Sequence, residues 1–323
     1  MSCIITSSKN CCKAGNGQFS EMAEGAGGQF GDSTKKLLPH QEEIAPEIAE
    51  AATQLMANGF ACVRQFLPQD ELNQILAAMD AYEQLVLPQL PPNKAFFSDP
   101  DDLQSCRYFD FEATAEVMPE YDITLFKSLV RHPRFASLAQ ACLGEAVVDT
   151  GAHWAPSMFN KTAGKSGETP PHQDNGYFCL QPPSCVTVWV ALDPVTRATG
   201  CLRYTPQSHL AGLESGDCLP HEASYNLGFS QRLTQESWDS LTTEEAVIDD
   251  LMPGDCVVHH SQTVHRAEEN TSPIASGLRR RALGVVYLGT SAKVNAAKYA
   301  HHLQSMKDQG VIPGLKDSDN AKL

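Results

Sequence analysis

The stretch PPHQDNGYF, residues 170–178, places an imidazole and a carboxylate two positions apart, at His172 and Asp174. On a β-strand, side chains at positions i and i+2 point to the same face of the sheet. Read as a strand, the stretch therefore predicts that both groups can bind one divalent metal ion. The alternative is a polar loop, because the His-x-Asp pattern is short. A metal site needs a third ligand from elsewhere in the chain.

The third ligand is expected from the histidines downstream. A second histidine would complete a facial triad of two imidazoles and one carboxylate, which leaves adjacent coordination positions open for oxygen and a cofactor. The segment MPGDCVVHHSQTVHRAEENTS predicts a turn at Gly254-Asp255, then a strand and a short bend. The candidate histidines are His209, His221, His259, His260 and His265. Spacing alone does not choose among the last three.

A run of arginines opens the apolar strand pattern GLRRRALGVVYLG. A charged side chain inside such a strand is costly unless it is paired. Arginine suits a buried carboxylate, because its planar fork binds both oxygens and stays charged. One of Arg279, Arg280 and Arg281 could therefore hold the far carboxylate of a 2-oxo acid that chelates the metal. The alternative is a solvated strand entry.

Composition favours a soluble protein with no nucleic-acid or membrane partner. The 323 residues carry a formal net charge of -15, whereas nucleic acids attract clustered Lys and Arg. No apolar stretch approaches the ~20 residues of a membrane span, and the first residues lack the continuous apolar core of a secretory signal. We expect a cytoplasmic protein in which the 11 scattered cysteines are free thiols.

Patterns along the chain predict a tail followed by one domain. Residues 1–40 are rich in Gly, Ser, Lys and Asn, which favours a flexible tail. Residues 41–323 are expected to form a single domain, mostly helical over 41–143. Short segments punctuated by Gly, Pro, Asn and Asp fill residues 144–291 and favour an antiparallel sandwich or barrel. A short helix and a polar end complete residues 292–323.

Local signals mark the ends of individual elements. Helix patterns are expected to end at Asn58-Gly59 and at Gly144, because glycine readily adopts the left-handed conformation of a C-cap. His132-Pro133 opens the second of these helices. Residues 88–105 predict a long loop. Strands are predicted in FACVRQFL, AVVDTGAHWAPSMFN, YFCLQPP, CVTVWVAL, GCLRYTP, EEAVIDDLM, GDCVVHH and RRRALGVVYLGT.

The joint order of these segments resembles the phytanoyl-CoA dioxygenase family of Fe(II)/2-oxoglutarate-dependent oxygenases. The resemblance covers about residues 57–290 and is carried by NGFACVRQFLPQDEL, HPRFASLAQACLG, MFNK, HQDNGYF, VTVWVALDPVTRATGCLRYTPQSH, GDCVVHHSQTVHRAEENTS and RRRAL. It implies an α+β fold with a mainly β core. That core would be a double-stranded β-helix, a jelly-roll or cupin-like barrel, with N-terminal and flanking helices.

The resemblance also implies which residues bind the metal and the co-substrate. His172 and Asp174 match the family's iron-binding His-x-Asp, and His265 matches its distal histidine. Arg280 would hold the distal carboxylate of 2-oxoglutarate, since Arg-Ala follows it as in the family. Asn160 and Lys161, in MFNK, would help to place the other end of 2-oxoglutarate. The sequence departs from the family two residues after the distal histidine, where alanine replaces the usual serine.

The activity implied by the resemblance is hydroxylation of an unactivated C–H bond in a small organic substrate. Fe(II) and O2 would be used, and 2-oxoglutarate would be decarboxylated to succinate and CO2. Related halogenases lack the carboxylate at the position of Asp174, so its presence favours hydroxylation. Desaturation or cyclisation uses the same oxidant, and a cupin-like metal protein that does not turn over 2-oxoglutarate is a third possibility. No sequence pattern indicates an oligomeric state.

Overall fold

The computed structural model describes residues 36–37, 45–91, 94–99, 101–148, 156–224 and 230–308. Apart from Lys36–Leu37, the tail predicted over residues 1–40 lies outside the described residues. Within those ranges the helices are α1 (Pro46–Asn58), α2 (Gln69–Leu85), α3 (Thr114–Val117), α4 (Thr124–Leu129), α5 (Pro133–Leu143), α6 (Asn175–Phe178), α7 (Gln235–Asp239) and α8 (Ala296–Asp308).

The strands fall mainly in the second half of the chain. They are β1 (Lys36–Leu37), β2 (Phe60–Val63), β3 (Ala95–Phe97), β4 (Cys106–Asp110), β5 (Val147–Val148), β6 (Ser157–Thr162), β7 (Thr169–His172), β8 (Cys185–Ala191), β9 (Leu202–Tyr204), β10 (His221–Ser224), β11 (Ser230–Leu233), β12 (Ala246–Ile248), β13 (Cys256–His260), β14 (His265–Ala267) and β15 (Arg279–Leu288).

Two antiparallel sheets form the core. The larger has seven strands in the order β2-β13-β8-β15-β6-β4-β3, and the smaller has four in the order β12-β9-β14-β7. From β6 to β9, and again from β12 to β15, consecutive core strands alternate between the two sheets. This alternation is the jelly-roll arrangement. The predicted α+β class with a jelly-roll core is therefore confirmed.

Strand β8 separates the two apolar layers of the molecule. All seven of its residues are buried, as expected for a central strand that is covered on both faces. Val186, Val188 and Val190 belong to the core formed with the helices. Trp189 and Ala191 alternate to the other face and pack in the space between the sheets. That inner space is where the polar site lies.

The predicted helix ends agree with the structure. Helix α1 has Pro46 in its first turn and ends at Gly59, whose φ is 90°. Helix α5 begins after His132, whose ring accepts a hydrogen bond from the N–H of Arg134, and ends at Gly144, whose φ is 66°. In both helices a proline that needs no intrahelical donor opens the first turn and a left-handed glycine closes the last.

Two predictions about local structure were wrong. The segment YFCLQPP was expected to be a strand, but its first residues complete helix α6. The Asn175 side chain favours this compact turn by accepting from the N–H of Leu180 and donating to its carbonyl. The stretch expected to be a loop contains β3, which pairs with β4 at one edge of the larger sheet.

None of the described helices has the length and apolar character that a bilayer crossing requires.

Candidate metal and co-substrate site

Two histidines lie side by side on the smaller sheet. In the pairing of β14 with β7, His265 is the direct partner of His172. Directly paired residues project to the same face, and the centres of the two imidazole rings are 4.2 Å apart. Tyr204 on β9 is the partner of His265 on its other side. Its ring stacks on that of His265, with 5.6 Å between the ring centres.

Both imidazoles are oriented by hydrogen bonds to the main chain. Nδ1 of His172 lies 2.9 Å from the carbonyl oxygen of Pro170, and Nδ1 of His265 lies 3.0 Å from that of Thr263. Because a carbonyl only accepts, each Nδ1 carries the proton and each Nε2 keeps its lone pair. Burial lowers the pKa of both histidines below the ordinary value. Both rings are therefore ready to act as neutral metal ligands.

The backbone conformation that brings Asp174 close to the two histidines differs from the predicted strand. Strand β7 ends at His172, and Asp174 has helical backbone angles, φ −58° and ψ −35°, just before α6. The expectation that strand alternation aligns the two side chains is therefore wrong. The turn is held instead by the N–H of Asn175, which donates to the carbonyl of Ser261. This bond attaches the chain after β7 to the connection between β13 and β14.

The two oxygens of the Asp174 carboxylate have different surroundings. Oδ1 lies 3.6 Å from Nε2 of His172 and 3.7 Å from Nε2 of His265. Oδ2 accepts a hydrogen bond from the Thr187 hydroxyl at 2.8 Å and lies 3.2 Å from Nε2 of His259. Burial would raise the pKa of Asp174, but the neighbouring imidazoles and the hydrogen bond with His259 outweigh it and lower that pKa.

The three predicted ligands thus converge. One ligand atom from each of His172, Asp174 and His265 lies within 4.8 Å of the other two. Two neutral imidazole nitrogens and one carboxylate oxygen on one side of a buried space are the donor set of a facial triad. The outward nitrogens and the second carboxylate oxygen are held by hydrogen bonds, as in natural metal sites. The residues therefore fit a non-haem iron ion.

The histidines that spacing could not separate have distinct surroundings. His259 lies on β13 of the larger sheet, with Nε2 toward Asp174 and Nδ1 3.1 Å from the hydroxyl of Tyr204. His260 alternates to the other face, where its Nδ1 accepts from the N–H of Gln262 and its ring lies near that of His209. Of the three, His265 is the one whose Nε2 groups with His172 and Asp174.

The three arginines of β15 also have different environments. Arg279 pairs with Glu83, and Arg281 pairs with Asp193 and with Asp80 of α2. Arg280 points to the inner space, is only 2% exposed and lies 5.1 Å from the centre of the Trp189 ring. In the described part of the chain its Nε has no hydrogen-bond partner. Burial lowers its pKa to about 10.

Lys161 lies beside Arg280, whereas Asn160 does not. Arg280 and Lys161 are direct partners of β15 and β6, so both face inward. Nζ of Lys161 and Nη2 of Arg107 both donate to the carbonyl of Gly167, at 2.7 and 3.0 Å. Asn160 alternates to the opposite face, where its amide donates to the carbonyl of Cys106. The structure therefore brings together two of the three residues predicted to hold 2-oxoglutarate.

Sequence analysis did not single out Thr187 or Tyr204. Both lie on strands that face the inner space, and both are buried. The signal for Thr187 was available, because it alternates with three valines in CVTVWVAL and is the polar residue on the inner side. Tyr204 had no comparable signal, since GCLRYTP gives no indication of the strand opposite.

A cavity of about 570 Å3 lies next to the turn that carries Asp174. Its walls come from helix α6, from the segment before and including His221, and from helix α8. The ring of Tyr177 in α6 lies 6.0 Å from that of His172 and 6.4 Å from that of His302, centre to centre. This volume is in the range of small-molecule sites.

The fold and the site define a class: jelly-roll proteins with a metal centre of two histidines and one carboxylate. Within that class, the chain belongs to the phytanoyl-CoA dioxygenase family of iron- and 2-oxoglutarate-dependent oxygenases. The family model, Phytanoyl-CoA dioxygenase (PhyH), matches residues 55–281. The family predicted from the sequence motifs is confirmed.

Two curated relatives are similar to parts of the chain. Phytanoyl-CoA dioxygenase 1 of Oryza sativa subsp. japonica is 31% identical over 138 residues, which cover 40% of this chain and 42% of that protein. The 1-deoxypentalenic acid 11-beta-hydroxylase of Streptomyces exfoliatus is 27% identical over 173 residues, covering 52% of this chain and 59% of that protein. The chain thus spans about half the length of these relatives.

A solved structure shares the fold. It is that of the epimerase SnoN in complex with Fe3+, alpha ketoglutarate and nogalamycin RO. The TM-score is 0.54 at 21% sequence identity, and the match covers 83% of this chain and 91% of that one. At this identity the likeness supports the jelly-roll architecture, while the function must be argued from the site.

Proposed function

We propose that this protein is an Fe(II)/2-oxoglutarate-dependent dioxygenase that hydroxylates an unactivated C–H bond of a small organic substrate. The observation that carries the proposal is the convergence of His172, Asp174 and His265, with both Nδ1 atoms fixed on carbonyls. Iron on these ligands would, together with 2-oxoglutarate, supply the oxygen-activating chemistry. Decarboxylation of 2-oxoglutarate to succinate and CO2 would accompany the hydroxylation.

The buried cations support 2-oxoglutarate as the co-substrate. Arg280 has no carboxylate within salt-bridge distance among the described residues, although it is buried and charged. An uncompensated buried charge is costly, so a bound anion would be its natural partner. We assign the distal carboxylate of 2-oxoglutarate to Arg280, with Lys161 beside it. This argues against a cupin-like metal protein without 2-oxoglutarate, because such a protein has no need of the unpaired arginine.

The first experiment needs no substrate. Fe(II) and 2-oxoglutarate are added to the purified protein without oxygen, and the weak visible charge-transfer band of the iron chelate is sought. We expect a band that requires both additions. Asp174→Ala should weaken and shift it, because loss of the carboxylate removes one of three ligands. Asp122→Ala, which removes an exposed carboxylate at the start of helix α4, is the matched control and should keep the band.

Two results would contradict the proposal. Metal binding without a band would favour the cupin-like alternative. A band that persists unchanged in Asp174→Ala would show that the iron lies elsewhere.

With a substrate in hand, mass spectrometry of the product separates hydroxylation, which adds an oxygen atom, from desaturation or cyclisation, which removes two hydrogens.

A further inference from the structure

The carboxylate of Asp174 lies between the two sheets and contacts side chains from both. Its Oδ1 faces the imidazoles of His172 and His265 on the smaller sheet. Its Oδ2 is bound from the larger sheet by Thr187 on β8 and His259 on β13. Thr187 and His259 are direct partners in the β13–β8 ladder. Two neighbouring donors on one face therefore meet a single oxygen atom.

The directions of these hydrogen bonds follow from the chemistry of the groups. The ionised carboxylate only accepts, so Thr187 donates its hydroxyl proton and His259 donates from Nε2. On the other side of the ring, Nδ1 of His259 lies 3.1 Å from the hydroxyl of Tyr204. A chain of hydrogen bonds therefore connects Tyr204 through His259 to Asp174. Tyr204 lies on the smaller sheet and His259 on the larger one, so this chain of hydrogen bonds crosses between the sheets before it reaches the carboxylate.

We infer that Thr187, His259 and Tyr204 are positioning residues that restrict Asp174 to binding metal through Oδ1 alone. This inference rests on the proposed iron site. With both donors on Oδ2, the carboxylate cannot rotate to offer two oxygens without breaking two hydrogen bonds. One-oxygen binding leaves an additional coordination position available to 2-oxoglutarate. Without the donors, the second oxygen becomes free to compete for that position.

The test uses Co(II) as a spectroscopic probe of the metal-free protein. Thr187→Val keeps the side-chain shape and removes the donor, Thr187→Ser restores the donor, and Tyr204→Phe removes only the hydroxyl. Thr114→Val is the matched control, because Thr114 is a buried threonine whose hydroxyl bonds to Tyr82 and Phe111 instead. Co(II) affinity and the visible absorption bands are measured for each variant, together with the unfolding of the metal-free protein.

We expect Thr187→Val to weaken Co(II) binding by about 10- to 100-fold, the usual effect of losing an outer partner of a metal ligand. Its Co(II) bands should also change in position and intensity, because the coordination by Asp174 changes. Tyr204→Phe should shift the bands in the same direction by a smaller amount. Thr187→Ser and Thr114→Val should match the parent in affinity and spectrum.

The outcomes separate this inference from the proposed function. A parent protein that binds Co(II), with a Thr187→Val variant of equal affinity and identical bands, would overturn the positioning role and leave the metal site intact. A loss of folding stability in Thr187→Val without any spectral change would also overturn it. A parent protein that binds no Co(II) would overturn the proposed metal site itself, and the positioning role with it.

Discussion

Arg280 is buried without a carboxylate partner in the described part of the chain. A buried guanidinium without a carboxylate partner destabilises the folded chain, since desolvation is not offset by an ion pair. Its position over the face of Trp189 supplies a cation–π contact, which compensates in part. Arg281, one residue later, has the opposite arrangement, with Asp193 and Asp80 both within 3 Å. Within the described residues, the two neighbouring arginines therefore differ in whether the protein itself supplies their counterions.

The first prediction at this scale concerns 2-oxoglutarate affinity. Arg280→Ala should raise the 2-oxoglutarate concentration needed for half of the Fe(II) band by about 10- to 100-fold, because a charge-assisted hydrogen bond contributes ~1.5–3 kcal/mol. Its metal-free form should be as stable as the parent or more so, since an unpaired buried charge is removed. Anaerobic titration and urea unfolding measure the two quantities.

Arg281→Ala is the matched comparison and should behave in the reverse way. Loss of its ion pairs with the partly buried Asp193 and the exposed Asp80 should lower the free energy of unfolding by about 1–3 kcal/mol, with little change in 2-oxoglutarate affinity. If Arg281→Ala or Arg279→Ala, rather than Arg280→Ala, weakened 2-oxoglutarate binding, the assignment of the inward arginine would be incorrect.

At the scale of elements, the connection between β13 and β14 places His265. Residues 261–264 cross from the larger sheet to the smaller one, so their position decides where β14 begins. The carbonyl of Gly59, at the end of α1, accepts from the N–H of His260 at 2.9 Å and from the hydroxyl of Thr263 at 2.7 Å. A helix end thus supports the strand that carries a predicted metal ligand.

Gly59 is required there for two physical reasons. Its φ of 90° is a left-handed conformation that side chains disfavour, and an added Cβ would lie 2.5 Å from Oγ1 of Thr263 and 2.7 Å from Nδ1 of His209. Gly59→Ala should therefore lower the free energy of unfolding by about 2–4 kcal/mol, from strain and overpacking together. Urea unfolding of the metal-free protein measures this.

Gly144→Ala is the control for the strain alone. Gly144 has a φ of 66°, but an added Cβ would meet nothing within 4 Å. Gly144→Ala should therefore lower the free energy of unfolding by only about 1 kcal/mol. Equal effects of the two substitutions would argue against close packing at Gly59, and a Gly59→Ala protein that binds Co(II) as well as the parent would show that the junction does not affect the site.

At the scale of the whole molecule, three histidines outside the predicted ligand set are buried or partly buried, and the folded state disfavours their charged form. Burial lowers the pKa of His221 and His302 to about 4, and that of His260 to about 3. The unfolded chain, with histidines near their ordinary pKa of 6.5, binds protons that the folded chain excludes. Acid therefore favours the unfolded state between these values.

The lowered pKa values of these histidines predict how the stability of the protein depends on pH. The metal-free protein should keep its full stability above about pH 6.5 and lose stability as the pH falls below it. Between about pH 7 and about pH 5, His260 alone should account for about 2 kcal/mol of the loss. His260→Asn, whose amide oxygen can replace Nδ1 as the acceptor for Gln262, should flatten the dependence. Urea unfolding at several pH values tests this, and an equal slope in parent and variant would contradict it.

The sequence by itself determined the features that depend on short stretches of chain. Ligand types and their order predicted the family and the three candidate ligands. Proline and glycine fixed the ends of α1 and α5, because their backbone preferences act locally. The Arg-Ala motif after Arg280 selected the arginine that the structure places facing inward, although its role in binding 2-oxoglutarate stays a prediction. The division of the chain into domains, Asn160 as a co-substrate ligand and a cytoplasmic location also stay predictions.

Only the tertiary structure decided which groups meet across the barrel. Asp174 leaves the strand before its carboxylate is placed, and the donors that fix its second oxygen come from β8 and β13. Spacing could not choose His265 over His259, because both lie on strands, but pairing with β7 in one case and with β8 in the other directs them to opposite sheets. Such contacts depend on how distant segments pack. Local periodicity carries no information about which strand a given strand will pair with.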